Sequence, residues 1–160
     1  MVRGAVLHGR RGSADEGSAV VEFVFLAVLL MVPVVYLVLT LAAVQSGAFA
    51  AEAVARDASR AAVVAGVDSL RNGESYATAE RAASHRANEV AAMTLEDFHL
   101  TADDADMLLT CSAQPCLTPG SDVTVAVTVS VALPGIGSLV PGAKVQLTSQ
   151  GSSPVDGYLP

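Results

Sequence analysis

Gly17-Ser-Ala-Val-Val-Glu22-Phe23 opens an apolar run that passes through Pro33 and reaches about Ala43, and the next charge after Glu22 is Glu52. About 20 consecutive apolar residues suffice to cross a bilayer as a helix. The run exceeds that length and predicts a membrane-spanning helix over residues 18–44. Its single acid is the anomaly. An unpaired carboxylate at the centre of a membrane helix costs about 2.5–3.5 kcal/mol, and less near an end, so Glu22 needs a partner or a task. One explanation places it at the interface in the first turn, where the helix dipole favours negative charge. The other comes from spacing. A cut after Gly17 makes Ser18 a free amino terminus, and Glu22 lies four residues on, along the same helical face. The new amine and the carboxylate then neutralise each other, within one subunit or between neighbours.

Charge is divided unevenly about this run. Before Gly17 stand Arg3, Arg10 and Arg11 with Asp15 and Glu16; beyond the run there are thirteen acids against six bases. Arginines at the amino-terminal end of a membrane helix favour keeping that end in the cytoplasm, so the remainder is expected to face outward. An acidic outer domain argues against nucleic-acid binding, which needs a basic surface. It also lacks a polybasic patch for anionic lipid.

The leader, residues 1–17, is short, basic and Gly-rich, without the apolar core of a secretory signal peptide. The apolar run could itself serve as a signal sequence with a cut near Ala48 or Ala50, but it is long for that purpose. Pro33 inside the predicted span is read as a tolerated kink with local repair of the freed carbonyl, or, on the family resemblance drawn below, as a bend or melting point used when subunits pack. From Gln45 to Ala65 the Ala-rich sequence has high helix propensity, and Glu52 to Arg56 is a favourable i, i+4 pair. Gly66 is expected to end this helix. Its small residues suit close packing in a bundle or an alanine stripe against its own domain.

These features, taken in order, resemble the processing region of type IV pilins: a glycine before the cut, a short apolar tract, a glutamate as fifth mature residue, and an apolar helix. Phe23 after Glu22 and the wording Ser-Ala-Val-Val-Glu-Phe-Val-Phe-Leu-Ala-Val-Leu-Leu-Met-Val-Pro resemble more specifically the TadE-like pseudopilins of tight-adherence (Tad, or Flp) pilus systems. The resemblance covers roughly residues 10–66, including the Ala/Arg-rich tract after the apolar run. It implies cleavage between Gly17 and Ser18 by a prepilin peptidase, and pairing of the freed amine with Glu22 beside Phe23. The implied partners are that peptidase, the major Flp-type pilin, other minor pseudopilins and the membrane. The implied location is the bacterial cell membrane, single-pass, with the amino terminus cytoplasmic.

The outer part, residues 45–150, has room for one domain. Absent tryptophan and 4% aromatic residues predict a small, lightly packed core. Asn72-Gly73 is a turn signal, and a second helix is expected over residues 75–93 with Ser75 as its cap. Two short strands are expected over 95–102 and 106–112, joined by the acidic Asp103-Asp104-Ala-Asp106. That tract lacks the glycine and distal glutamate of an EF-hand loop and is read as a solvated turn. Residues 123–133 alternate Val with Thr, Ala and Ser, the clearest strand in the chain. A last strand is expected over 144–148, and residues 151–160 are read as a flexible tail.

Cys111 and Cys116 in an outward-facing domain favour a disulfide over a metal site, since two thiolates alone do not close a zinc site. Closing so short a loop stabilises by about 2–3 kcal/mol at best. His8, His85 and His99 lie in three different regions, and there is no phosphate-binding loop and no HExxH. No cofactor, metal, small-molecule substrate or enzymatic activity is expected. The expected fold is α+β: a long amino-terminal transmembrane helix continuing into a soluble helix, a second helix and a small antiparallel sheet. Two other classes compete with the pseudopilin reading. One is a signal-anchored outer binding module, uncut at Gly17; the other is a secreted enzyme released near Ala50.

Overall fold

The computed structural model describes residues 15–135 and 143–156, with side chains from Ser18 onward. The chain is α+β, in the order α1 (Asp15–Arg71), α2 (Tyr76–Asp97), a short 3-10 helix (Ala102–Asp104), β1 (Ala105–Cys111), β2 (Asp122–Ala132) and β3 (Lys144–Pro154). It divides into two compact units at Leu39 and Thr40. The described part of the first unit is the apolar stretch of α1.

In the second unit α1 is Ala-rich and carries the exposed Arg56–Glu52 ion pair one turn apart. It does not stop at Gly66. The helix continues to Arg71, because Gly66 serves packing: a Cβ there would overlap the side chain of Leu117, which is fully buried. The end comes at Asn72-Gly73. Gly73 has φ +83, its N–H donates to the Leu70 carbonyl at 3.0 Å, and the Glu74 N–H donates to Ser69 at 3.2 Å. This paired closure needs the left-handed conformation that glycine adopts without steric cost.

Ser75 caps α2 as expected, its Oγ accepting from the Thr78 N–H at 3.3 Å. The helix is longer than expected and runs to Asp97. Ala79, Ala83, Ala87, Ala91 and Leu95 form one buried stripe at four-residue spacing, and Leu95 is its last member. The strand expected over 95–102 is therefore absent. Leu95 belongs to the helix, the chain turns at His99 (φ 59), and the Leu100 N–H donates back to the Leu95 carbonyl at 3.0 Å.

The sheet has the order β1-β2-β3 with both pairings antiparallel, Asp106 opposite Thr128 and Thr128 opposite Thr148. Val123, Val125, Val127 and Val129 on β2 are fully buried. They share one core with the alanine stripes of both helices. On the other face Thr128 and Thr148 exchange a hydroxyl bond at 2.9 Å. β3 is also longer than expected: it pairs with β2 through Pro154, and Val155 behind it is buried. Residues 151–154 thus belong to the sheet rather than to a loose tail, and the Val155 N–H donates to the Ser121 carbonyl at 2.8 Å.

Candidate functional site

The apolar stretch of α1 exposes its side chains around the whole circumference. Val20, Phe23, Leu26, Leu30, Met31 and Leu37 are each at least half exposed, and none of the most apolar 18-residue window is buried within the protein. Each such side chain gains roughly 1.5–3 kcal/mol when moved out of water. A helix apolar on every side is at home in lipid or among other helices. By length and composition α1 is sufficient to cross a membrane.

Within this stretch Ser18 and Glu22 stand one turn apart on α1, both exposed. Gly17 is part of the same helix. Phe23 is 72% exposed and continues the apolar surface directly after the acid. Pro33 lies inside the helix, which persists through it. Having no N–H, proline leaves the Leu29 carbonyl without its intrahelical donor. Leu29 and Pro33 line a shallow apolar hollow of about 430 Å3 together with Phe25, Val28 and Val32.

Cys111 and Cys116 are joined in a disulfide with a Cα–Cα separation of 5.5 Å. The bridge ties the end of β1 to the segment that carries Leu117 into the core. The Glu80 carboxylate of α2 accepts from the Cys116 N–H at 3.0 Å. Sequence reasoning did not find this contact, since 36 residues separate its partners and no motif links them.

The acidic tract 103–106 is not a solvated turn alone. Asp104 Oδ2 accepts from the Thr101 hydroxyl at 2.9 Å and from the Thr101 N–H at 3.3 Å, while Oδ1 pairs with Lys144 Nζ at 3.2 Å. These contacts, the Thr101 hydroxyl bond foremost and the Lys144 bond next, hold the Asp104 carboxyl below its usual range. Among the described residues no group of three His, Cys, Asp or Glu side chains is placed to hold a metal ion. His85 lies beside Glu89, with Nδ1 3.5 Å from its carboxylate. His99 is at the turn after α2, and His8 lies outside the described residues.

Open hollows mark the second unit. One, about 600 Å3, is lined by Asp57, Arg60, Asp68, Arg71, Arg86 and Asp156. Its acids and bases balance, so it carries no field selective for either sign. Another, about 410 Å3, lies beside the disulfide and Glu80, and a further one, about 470 Å3, is lined by Arg56, Ser59, Ser152 and Pro154. The most distinctive surface is therefore the apolar helix with its lone acid. No protein-family model, curated protein or solved structure matches the chain.

Proposed function

We propose that the chain is a TadE-like minor pseudopilin, a structural component of Tad (Flp) pilus assembly that packs through its amino-terminal helix. The observation that carries this reading is the combination on α1 of an all-round exposed apolar surface with one carboxylate, Glu22, a single turn after Ser18. A carboxylate on such a surface is tolerated in lipid only if something neutralises it.

The mechanism has three steps. The arginines of the leader hold the amino terminus in the cytoplasm. A prepilin peptidase hydrolyses the peptide bond between Gly17 and Ser18, leaving a carboxylate on Gly17 and an amine on Ser18. That amine and Glu22, with Phe23 beside it, then register the helix against neighbouring pilin helices, and Pro33 permits the bend that packing requires. In this reading the protein is not an enzyme, and the outer α+β domain is carried on the stem.

Two variants test the proposal in cells that hold the complete secretion apparatus. Gly17→Ala should lower the fraction of processed protein. Glu22→Ala should leave more of the processing intact and impair recovery with the major pilin. If both assemble like the wild type, the assignment is wrong.

A further inference from the structure

β1 is an edge strand, and the direction of its backbone groups follows from one hydrogen bond. Cys111 lies opposite Val123, and one step on the Ser112 N–H donates to the Asp122 carbonyl at 2.9 Å. In an antiparallel pair successive residues turn their backbone groups alternately toward the neighbour and away from it. Ser112, Thr110 and Leu108 therefore address β2, while Cys111, Leu109 and Met107 address the open side. No strand stands on that side, and among the described residues no turn, loop or cap uses the backbone groups of these three. A row of unpaired N–H and C=O groups is a template for another extended chain.

This edge borders the 410 Å3 hollow, which Glu80, Ala83 and Ser84 of α2 line together with Leu109, Thr110 and Cys111 of β1. Leu109 is half-buried and Thr110 exposed in the alternation of the strand, so a hollow that both residues reach lies along the edge of β1 and not beneath its face. Glu80 is the only ionisable side chain in the lining. Its Oε1 accepts from the Cys116 N–H at 3.0 Å, whereas Oε2 carries no hydrogen bond among the described residues. On the solvent face of the same edge Leu108 is 63% exposed.

We propose that this edge binds an extended segment of a partner protein as a fourth strand, antiparallel to β1, with a basic side chain directed at Glu80. The site lies wholly in the second unit and does not depend on the reading of α1. Main-chain bonds to Met107, Leu109 and Cys111 supply affinity, and alternate side chains supply selectivity. Opposite Leu109, a small apolar side chain enters the hollow beside Ala83. Opposite Cys111, a lysine or arginine meets the free oxygen of Glu80, a charge-assisted contact. Opposite Leu108 the pair is of the non-hydrogen-bonded kind, where side chains approach most closely, so a β-branched apolar residue covers Leu108. A second copy of β1 does not meet these demands, because Ala105–Cys111 contains an acid and no base.

The probe is a fluorescein-labelled peptide, Ser-Lys-Thr-Val-Ile-Thr-Ser, titrated by anisotropy with the full chain in detergent micelles. Its lysine, valine and isoleucine stand opposite Cys111, Leu109 and Leu108. Saturable binding is expected. N-methylation of the lysine and valine nitrogens, which face β1, should weaken it by about tenfold or more, while N-methylation of the first threonine and the isoleucine, which face solvent, should leave it within about twofold. Glu80→Gln keeps an acceptor for Cys116 and should weaken binding about tenfold, with no such loss for a peptide carrying norleucine in place of lysine. Ser84→Phe, at an exposed position on the rim, should fill the hollow and abolish binding without altering Tm. Absence of saturable binding to a chain of wild-type Tm, or equal loss from both methylation patterns, would overturn strand addition. Indifference to Glu80→Gln would overturn the basic partner, and a dimer of the chain that the peptide dissociates would assign the edge to a second copy instead.

Discussion

Gly151 of β3 lies directly against the backbone of Ala55 on α1, where any Cβ would overlap the Ala55 carbonyl. Backbone meets backbone here, and neither side has a rotamer to give. Gly151→Ala in the full chain should therefore destabilise by about 1–3 kcal/mol, the usual cost of overpacking. Gln150→Ala, on the exposed face one residue away, should stay within about 0.5 kcal/mol of wild type. Thermal unfolding in detergent micelles compares the two, and an equal Tm would contradict this contact.

Gly66 sets helix propensity against packing. Alanine in place of an interior glycine favours a helix by about 1 kcal/mol. A Cβ at this position would overlap the Leu117 side chain, which is fully buried and held at φ 66. Overpacking at about 1–3 kcal/mol outweighs the propensity gain. Gly66→Ala should lower Tm, whereas a rise would mean that Leu117 has room to shift.

The Cys111–Cys116 bridge closes a short loop next to Leu117. Replacing both cysteines with serine should cost about 2 kcal/mol by the loop-closure estimate. Glu80→Ala leaves the Cys116 N–H without its acceptor and should cost about 1–3 kcal/mol. Glu80→Gln keeps an acceptor oxygen and should recover most of that loss. Denaturant titration of the three variants under oxidising conditions checks the order.

Asp104 gives a pH signature. Its carboxyl is held below the ordinary value of 3.8, chiefly by the Thr101 hydroxyl and then by Lys144. A lowered folded-state value means that the carboxylate stabilises the fold above about pH 4 and that this contribution is lost as pH falls through the folded value. Asp104→Asn should remove that increment at neutral pH and flatten the acid limb of the stability curve. The difference between variant and wild type should shrink as the pH falls below the ordinary carboxylate value.

Much of the architecture is legible in the sequence. The Val alternation of β2, the Ser75 cap and the Asn72-Gly73 turn each carry a local signal strong enough to place an element. The errors arise where distant packing overrides such signals. Gly66 reads as a helix end because nothing nearby announces Leu117. Leu95 reads as the start of a strand because only the folded stripe Ala79, Ala83, Ala87, Ala91 reveals it as a fifth helical position. Gln150-Gly-Ser-Ser-Pro reads as a tail because it lacks apolar residues, yet Gly151 is what lets β3 approach α1. At the candidate site, the apolar run and Glu22 are plain in the sequence, whereas the Lys144–Asp104 pair spans 40 residues and required the fold.

The most direct test is the amino-terminal sequence of the mature protein, purified from cells carrying the full secretion apparatus. The pseudopilin reading predicts a new terminus at Ser18, with Glu22 as the fifth mature residue. An intact Met1, or a terminus near Ala50, would contradict it and leave Glu22 without its proposed partner.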